Sequence, residues 1–501
     1  MDLSPPPTTL NLNYDILLNI ISVGFEHTKD AVSLIGTCRL LYREGPKVAL
    51  RKLVIIDGPE ELALFLDFLR ADNLTRCQYL RRLILCACHP DDPDEDDVAW
   101  RLAQTLPLLT GLEYLGLDEA EDLLQCDPAL AAAFAALTSV RDIYVTGADS
   151  ETCTLLSTIE SPLVSANVSF FGDRDDTLWA IVDTQYWSSY HPVVIFSGHA
   201  DTLEELQCMC WFTPSDEDVM PEVVYPRMRK LSFEYHDFPL LMPPFILAFP
   251  NLTDLRVHTE SLGSAEAAQT SHSFNICRQT SAGCTWEQLE HFSGCVIDLY
   301  SLGLISHIRR VTITDSIDEL LKVSMLVDAL RYAKPLHLKL HGITGTTLGD
   351  SERGVIAVLQ DKGASSLTTL DMEIRFGEGD GEKDLKVVFV SRSIPLVYRC
   401  ACSLSIVSAG KSDGGVVPST AENFGTDVPY LRPRLDLCRD RKPTQSRGSL
   451  AKHGECGWPR SSLDGAQPFS GELAHCIAQP SSRREGYAGE DDEGKVASAW
   501  R

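Results

Sequence analysis

The chain has 501 residues, 44% of them apolar, and 44 Lys and Arg set against 71 Asp and Glu give a formal charge of −27. The apolar share is ample for an extended core, over a length that allows about three domains. Acidity of this size excludes nonspecific nucleic-acid binding and a polybasic membrane surface, both of which need clustered cations.

In chain order, MDLSPPPTTL has neither a basic n-region nor an apolar h-region, so no secretory signal is expected, and residues 1–9 read as disordered. No run approaches the roughly 18 apolar residues of a membrane helix. The nearest, LLMPPFILAF, is split by Pro243 and Pro244. The expectation is a soluble protein of the cytoplasm, the nucleus or both, contacting neither membrane nor nucleic acid.

Residues 10–52 predict a short helical module. Leu12, Ile16, Leu17, Ile20 and Ile21 recur at three- and four-residue steps, a stripe along one helix. Val32, Leu34, Ile35, Leu40 and Leu41 form a second apolar group. Each buried aliphatic side chain is worth about 1.5–3 kcal/mol. A unit of about 40 residues cannot cover so many by itself. It reads as a docking module.

Residues 53–408 predict an α/β repeat array. From Leu80 onward an apolar-x-x-apolar-x-apolar pattern recurs, as in Leu80/Leu83/Leu85, Leu112/Leu115/Leu117 and Val140/Ile143/Val145. It returns at Leu203/Leu206/Cys208, Met228/Leu231/Phe233, Leu252/Leu255/Val257, Ile308/Val311/Ile313 and Leu367/Leu370/Met372, more weakly at Leu338/Leu340. Most central residues lie 24 to 32 positions apart, and two gaps near twice that leave room for degenerate copies at Leu163–Val168 and Leu289–Phe292. Such a period marks a solenoid, and the local pattern matches the opening of a leucine-rich repeat. Helices are expected between copies, with Leu62, Phe65, Leu66 and Leu69 after Pro59, and with Val98, Leu102, Leu106 and Leu109. The repeat's consensus Asn or Cys is mostly absent, so the array should be irregular.

Residues flanking each central position should point to the open, concave side. Candidate target contacts there are Arg82, Tyr114, Tyr144 and Lys230, then Arg256, Arg310, His337 and Lys339. Asp142, Glu205, Asp254 and Asp371 share the face. The basic members suggest an acidic or phosphorylated partner segment, for which Arg is well suited; ordinary solvated strand residues are the plainer alternative.

Residues 409–501 are poor in aliphatics, rich in Ser, Gly, Pro and Arg, and hold as many basic as acidic residues. This composition does not support a core, so a disordered tail is expected, the alternative being translated non-coding sequence. Sixteen cysteines are dispersed. The pairs Cys86/Cys88, Cys208/Cys210 and Cys400/Cys402 lack zinc-ligand spacing, and residues two apart in a strand share a face, so a common core side is expected rather than a metal. There is no phosphate-binding loop, dinucleotide fingerprint, His-Glu-x-x-His or nucleophile elbow. No catalytic residue, cofactor or metal is assigned, and the chain is read as a non-enzyme.

One resemblance sharpens this. LNYDILLNII, then TCRLLY, then ALRKL resemble the F-box, the helical motif of substrate receptors in cullin-type ubiquitin ligases. Asn13 stands where the family usually has Pro, and can cap the helix instead. Leu40-Leu41-Tyr42 follows Cys-Arg where a Trp is frequent. The resemblance implies that this module docks a Skp-family adaptor, and through it a cullin ligase, by laying helices into a groove. Matching positions carry that contact to Leu12, Ile16, Leu17, Ile20, Leu34, Cys38 and Leu41. The repeats would then hold an unknown protein target. A leucine-rich-repeat scaffold without ligase function is the alternative.

Overall fold

A computed structural model describes residues 13–23, 28–87, 96–170, 190–211, 222–234, 240–259, 265–344, 347–348, 354–376 and 401–408. All belong to the first of the two units into which the chain divides, Met1–Val416 and Val417–Arg501. Leu12, Cys88, Cys400 and the tail from Ala409 lie outside the described residues.

Three helices come first: α1 (Tyr14–Val23), α2 (Thr28–Ile35) and α3 (Arg39–Ala49). Asn13 opens α1 as expected, its Oδ1 accepting from the Asp15 N–H at 3.3 Å. The helices share a small core of Ile21, Ile35, Leu41 and Ala49, with Tyr14, Leu17, Leu18 and Leu34 packed around it. Gly45 lets α3 approach closely, since a Cβ there would lie 2.6 Å from Ile35 Cγ1. This core is separate from the large one that follows.

Beyond it, strand and helix alternate. The strands are β1 (Leu53–Asp57), β2 (Arg82–Cys86), β3 (Tyr114–Leu117), β4 (Asp142–Val145), β5 (Ser165–Ser169), β6 (Glu205–Met209) and β7 (Lys230–Glu234). β8 (Asp254–His258), β9 (His291–Gly294), β10 (Arg310–Ile313), β11 (His337–Thr344), β12 (Thr369–Phe376) and β13 (Ala401–Ser408) complete them. They form one 13-stranded sheet in strictly sequential order. Every pairing is parallel. The helices between them are α4 (Pro59–Arg70), α5 (Asp96–Thr105), α6 (Ala120–Cys126), α7 (Pro128–Ala135), α8 (Ser150–Thr158) and α9 (Pro192–Ile195). Then come α10 (Pro243–Ala248), α11 (Ala265–Ala282), α12 (Val296–Ser301), α13 (Leu320–Ala333) and α14 (Val355–Gln360).

The expected repeat centres share one register row. Leu83, Leu115 and Ile143 pair in sequence, as do Leu206, Leu231 and Leu255, and Val311, Leu338 and Leu370. The two degenerate copies take the same row as Ala166 and Phe292. All are buried, and with the inward helix residues they make one continuous core. An α/β repeat solenoid follows from this topology alone: each unit pairs only with its sequence neighbours.

Two expectations are corrected here. The helix expected to run to Leu109 stops at Thr105, because Pro107 disfavours helix at the residue before it; a 3₁₀ turn, Leu106–Leu108, carries the last leucines inward. Two of the cysteine pairs do not share a core side, whereas Cys402 falls in the row of repeat centres, beside Leu370. Cys208 is buried in β6, but Cys210 has left the strand with φ of 53°. Cys86 lies in the outward phase of β2.

In place of a repeated Asn, assorted polar side chains tie units together. Ser161 Oγ donates to Leu137 O at 2.6 Å and accepts from Val140 N at 3.1 Å. Glu121 accepts from the N–H groups of Glu151 and Thr152 at 3.1 and 3.0 Å, capping α8. Asn275, wholly buried on α11, donates to Leu240 O and Ser301 O at 2.9 and 3.0 Å and accepts from Met242 N at 3.1 Å. One turn on, Gln279 donates to Gly303 O at 2.9 Å. Around the short helices α9 and α10 large rings fill the space: Trp211, Tyr225, Phe233, Phe245 and Phe249 are all buried.

Candidate functional site

Two surfaces are left open. On the helical module, the predicted stripe divides. Ile21 turns inward, whereas Ile16 is 48% exposed, and Leu17, Ile20 and Leu34 are half-buried. Cys38 is exposed just before α3. Leu41, expected at the interface, is instead 1% exposed and belongs to the module's core, so contact through it is corrected. Its place is taken by residues outside the set carried over as adaptor contacts: Val23 at 79% exposure and Leu40, of the second apolar group, at 42%. Helical phase explains the exchange, since Leu40 lies about 100° around α3 from Leu41.

Two cations, Arg76 and Lys47, reach across between the module and the first repeat. The buried Arg76 guanidinium lies 4.6 Å from the Tyr42 ring centre and 4.4 Å from that of Phe68, and pairs with Asp72 at 2.8 Å. Lys47 reaches over Tyr79 in the same region, 5.9 Å from its ring centre. Tyr42 is thus partly spent on the chain itself.

The second surface is the sheet face opposite the helices. Parallel sheets are ordinarily covered on both sides; here the alternate residues are half-buried or exposed from β1 to β12, with Gly116 and Ser169 the buried exceptions in the strands' outward phase. Two register rows define it. Arg82, Tyr114, Lys230, Arg310 and His337 fall in the first row, beside Asp142, Glu205 and Asp254. Tyr144, Arg256 and Lys339 fall in the second outward row, with Asp371. Every predicted contact residue in the array therefore lies on one face.

Their order along the sheet is graded. The second outward row begins Ile55, Ile84, Gly116, Tyr144, continues through Asn167, Gln207 and Ser232, and reaches Arg256, Ser293, Thr312 and Lys339 before Asp371 on β12. From β1 to β11 it passes from apolar to neutral to cationic. Ile84 leans over Gly116, where a Cβ would lie 2.7 Å from Ile84 Cγ1. Burial pushes the Tyr144 phenol up to about 12, so it stays a neutral donor. The Arg82 guanidinium stacks on Tyr114 at 5.1 Å. At the other end, His291 Nδ1 lies 3.6 Å from Asp254 Oδ1 and holds that carboxyl below the usual carboxylate range. His341 does the same to Glu373 at 3.1 Å. Arg256 and Arg310 are exposed and have no ion-pair partner among the described residues. His291, Ser293 and Thr312 escaped sequence reading because β9 is the degenerate copy and Thr312 is uncharged.

Among the described residues, no group of three His, Cys, Asp or Glu is placed to hold a metal, and no helix is long and apolar enough to cross a membrane. The fold and its open face define a repeat scaffold. No protein-family model matches the chain, and no curated protein does. Among solved structures it is similar to a chain of the mouse RP105/MD-1 complex, at 13% identity and a TM-score of 0.24. The match covers 60% of this chain and 46% of that one, so the chain spans about half the length of the neighbour it matches.

Proposed function

We propose that the protein is a non-catalytic substrate receptor of a cullin-type ubiquitin ligase. The helical module docks a Skp-family adaptor, the open sheet face of a leucine-rich-repeat-like array holds a protein target, and chemistry belongs to other subunits, which gain from raised local concentration. This reading sets the protein in the cytoplasm or nucleus. The observation that carries it is the exposed apolar ledge of Ile16, Val23 and Leu40 on a module with its own core. A partner that covers what is still exposed recovers roughly half of the 1.5–3 kcal/mol of full burial at Ile16 and Leu40, and most of it at Val23.

The test is co-purification of a Skp-family adaptor with the full chain. Ile16→Asp should abolish capture without unfolding the module, because Ile16 is half exposed and a carboxylate in the first turn of α1 suits the helix dipole. Leu40→Asp should do the same at the start of α3. Equal capture by wild type and both variants would reject adaptor docking through this ledge. A second reading, a repeat scaffold without ligase function, is favoured by Tyr42 and Leu41 being engaged within the chain. It predicts no adaptor capture by the wild type.

A further inference from the structure

We infer that the open sheet face takes a protein segment that is apolar at one end and acidic at the other, laid across the strands with its apolar end over β1–β4 and its acidic end over β8–β11. This rests on reading that face as the target surface.

The cationic end is a local reversal on an acidic chain. Arg256, Arg310 and Lys339 project there with His291 and His337; of the acids in the same two rows from β8 to β12, Asp254 is held by His291 and Asp371 stands next to Lys339 on β12. Ser293 and Thr312 lie between Arg256 and Lys339 in their row, adding hydroxyl donors to the floor. Fixed guanidinium and ammonium groups beside neutral donors suit carboxylates. The net charge of −27 opposes an acidic partner at long range. Screening confines that repulsion to about 8–10 Å at physiological salt, so the contacting cations decide.

The other end has the opposite chemistry. Ile55, 41% exposed, and Ile84 lie beside Tyr114 and Tyr144. The second outward row carries no charge from β1 to β7, although Arg82 and Asp142 flank it in the first, so that row itself returns nothing to a charged segment for its lost hydration. From β4 to β8 is four strand spacings, about 19 Å. About six extended residues should therefore separate the two ends of the segment.

The probe is a displayed library of random 20-residue segments, selected on the immobilised full chain. Recovered segments should pair an Asp/Glu cluster with a Leu/Ile/Phe cluster in one fixed order, and their binding should weaken as salt rises. Arg256→Glu with Arg310→Glu, both exposed, should weaken a recovered segment by on the order of tenfold or more. Selection repeated on that variant should lose the acidic cluster and keep the apolar one. Ile84→Ser, checked for retained circular dichroism, should do the converse. Absence of enriched segments, enrichment without acids, or indifference to the arginine reversal would each overturn the inference. Adaptor capture measured in parallel separates the two readings: if it succeeds while no acidic segment is recovered, only this inference falls. If it fails while such segments are recovered, the face stands as described and ligase docking falls.

Discussion

Asn275→Ala is expected to destabilise the array by about 3–5 kcal/mol. Asn275 sits on α11 with no exposed surface and serves three backbone groups: Leu240 O, Ser301 O and Met242 N. An alanine leaves all three buried without partners, and each such orphan costs about 1–3 kcal/mol. A water entering the vacated space would recover part of this, which sets the lower figure. Ser273→Ala on the exposed face of the same helix should change stability by less than about 0.5 kcal/mol. Urea unfolding reads the difference, and hydrogen exchange at Met242 should quicken in the first variant alone. Equal midpoints for the two would show that the amide does not tie these units together.

Acidification should remove stability through His191. Its ring is wholly buried, 4.8 Å from Phe245 and 5.6 Å from Trp211, and its Nδ1 accepts from the Val193 N–H at 3.2 Å. Nε2 has no partner among the described residues, so a charged ring would find no acceptor. Burial accordingly lowers the pKa from 6.5 to about 3. His199, which shares a hydrogen bond with Leu156 O at 3.2 Å, is lowered for the same reason. The folded state therefore binds fewer protons than the unfolded chain below pH 6.5. Stability is fully present above that value and falls as pH drops toward 3, at about 1.4 kcal/mol per unit for His191, roughly 4–5 kcal/mol in all. His191→Phe keeps the ring contacts, gives up the helix cap at about 1 kcal/mol, and titrates no proton. Between about pH 6 and 4.5, before most unfolded carboxylates titrate, its stability should depend on pH less steeply than wild type by one proton. Identical slopes would refute the assignment.

Much of the array was legible because its signal is periodic in two ways at once. Leu231 and Phe233, or Leu255 and Val257, alternate with polar neighbours, and the copies recur at a nearly fixed interval. β1 escaped notice because Leu53 and Ile55 face outward yet are apolar, so LVII reads as an unbroken run without a side. α11 escaped for the opposite reason. Its buried face is largely Ser271, His272, Asn275 and Gln279, polar residues of which the last three hydrogen-bond to backbone of neighbouring units, whereas an apolar stripe is the sequence signal of a packed helix. On the helical module, composition revealed a surplus of aliphatics but not which side each takes. Leu41 and Leu40 differ by one position, and only packing against Ile21 and Ile35 decides between them. On the sheet, phase alone placed Arg82, Tyr114, Arg256 and Arg310 on one face. The gradient along it needed the register, which assigns Ile55, Ile84 and Thr312 to the same row as Tyr144 and Lys339.

The strictly sequential strand order has a consequence for distance. Every strand finds its partner in the next unit, so excising one whole strand-and-helix unit leaves the remainder able to close up. Each gain or loss would move the far strands by one inter-strand step, about 4.8 Å, relative to the helices at the start. Reach is thereby digital: a lineage can lengthen or shorten the arm in equal increments without redesigning either end.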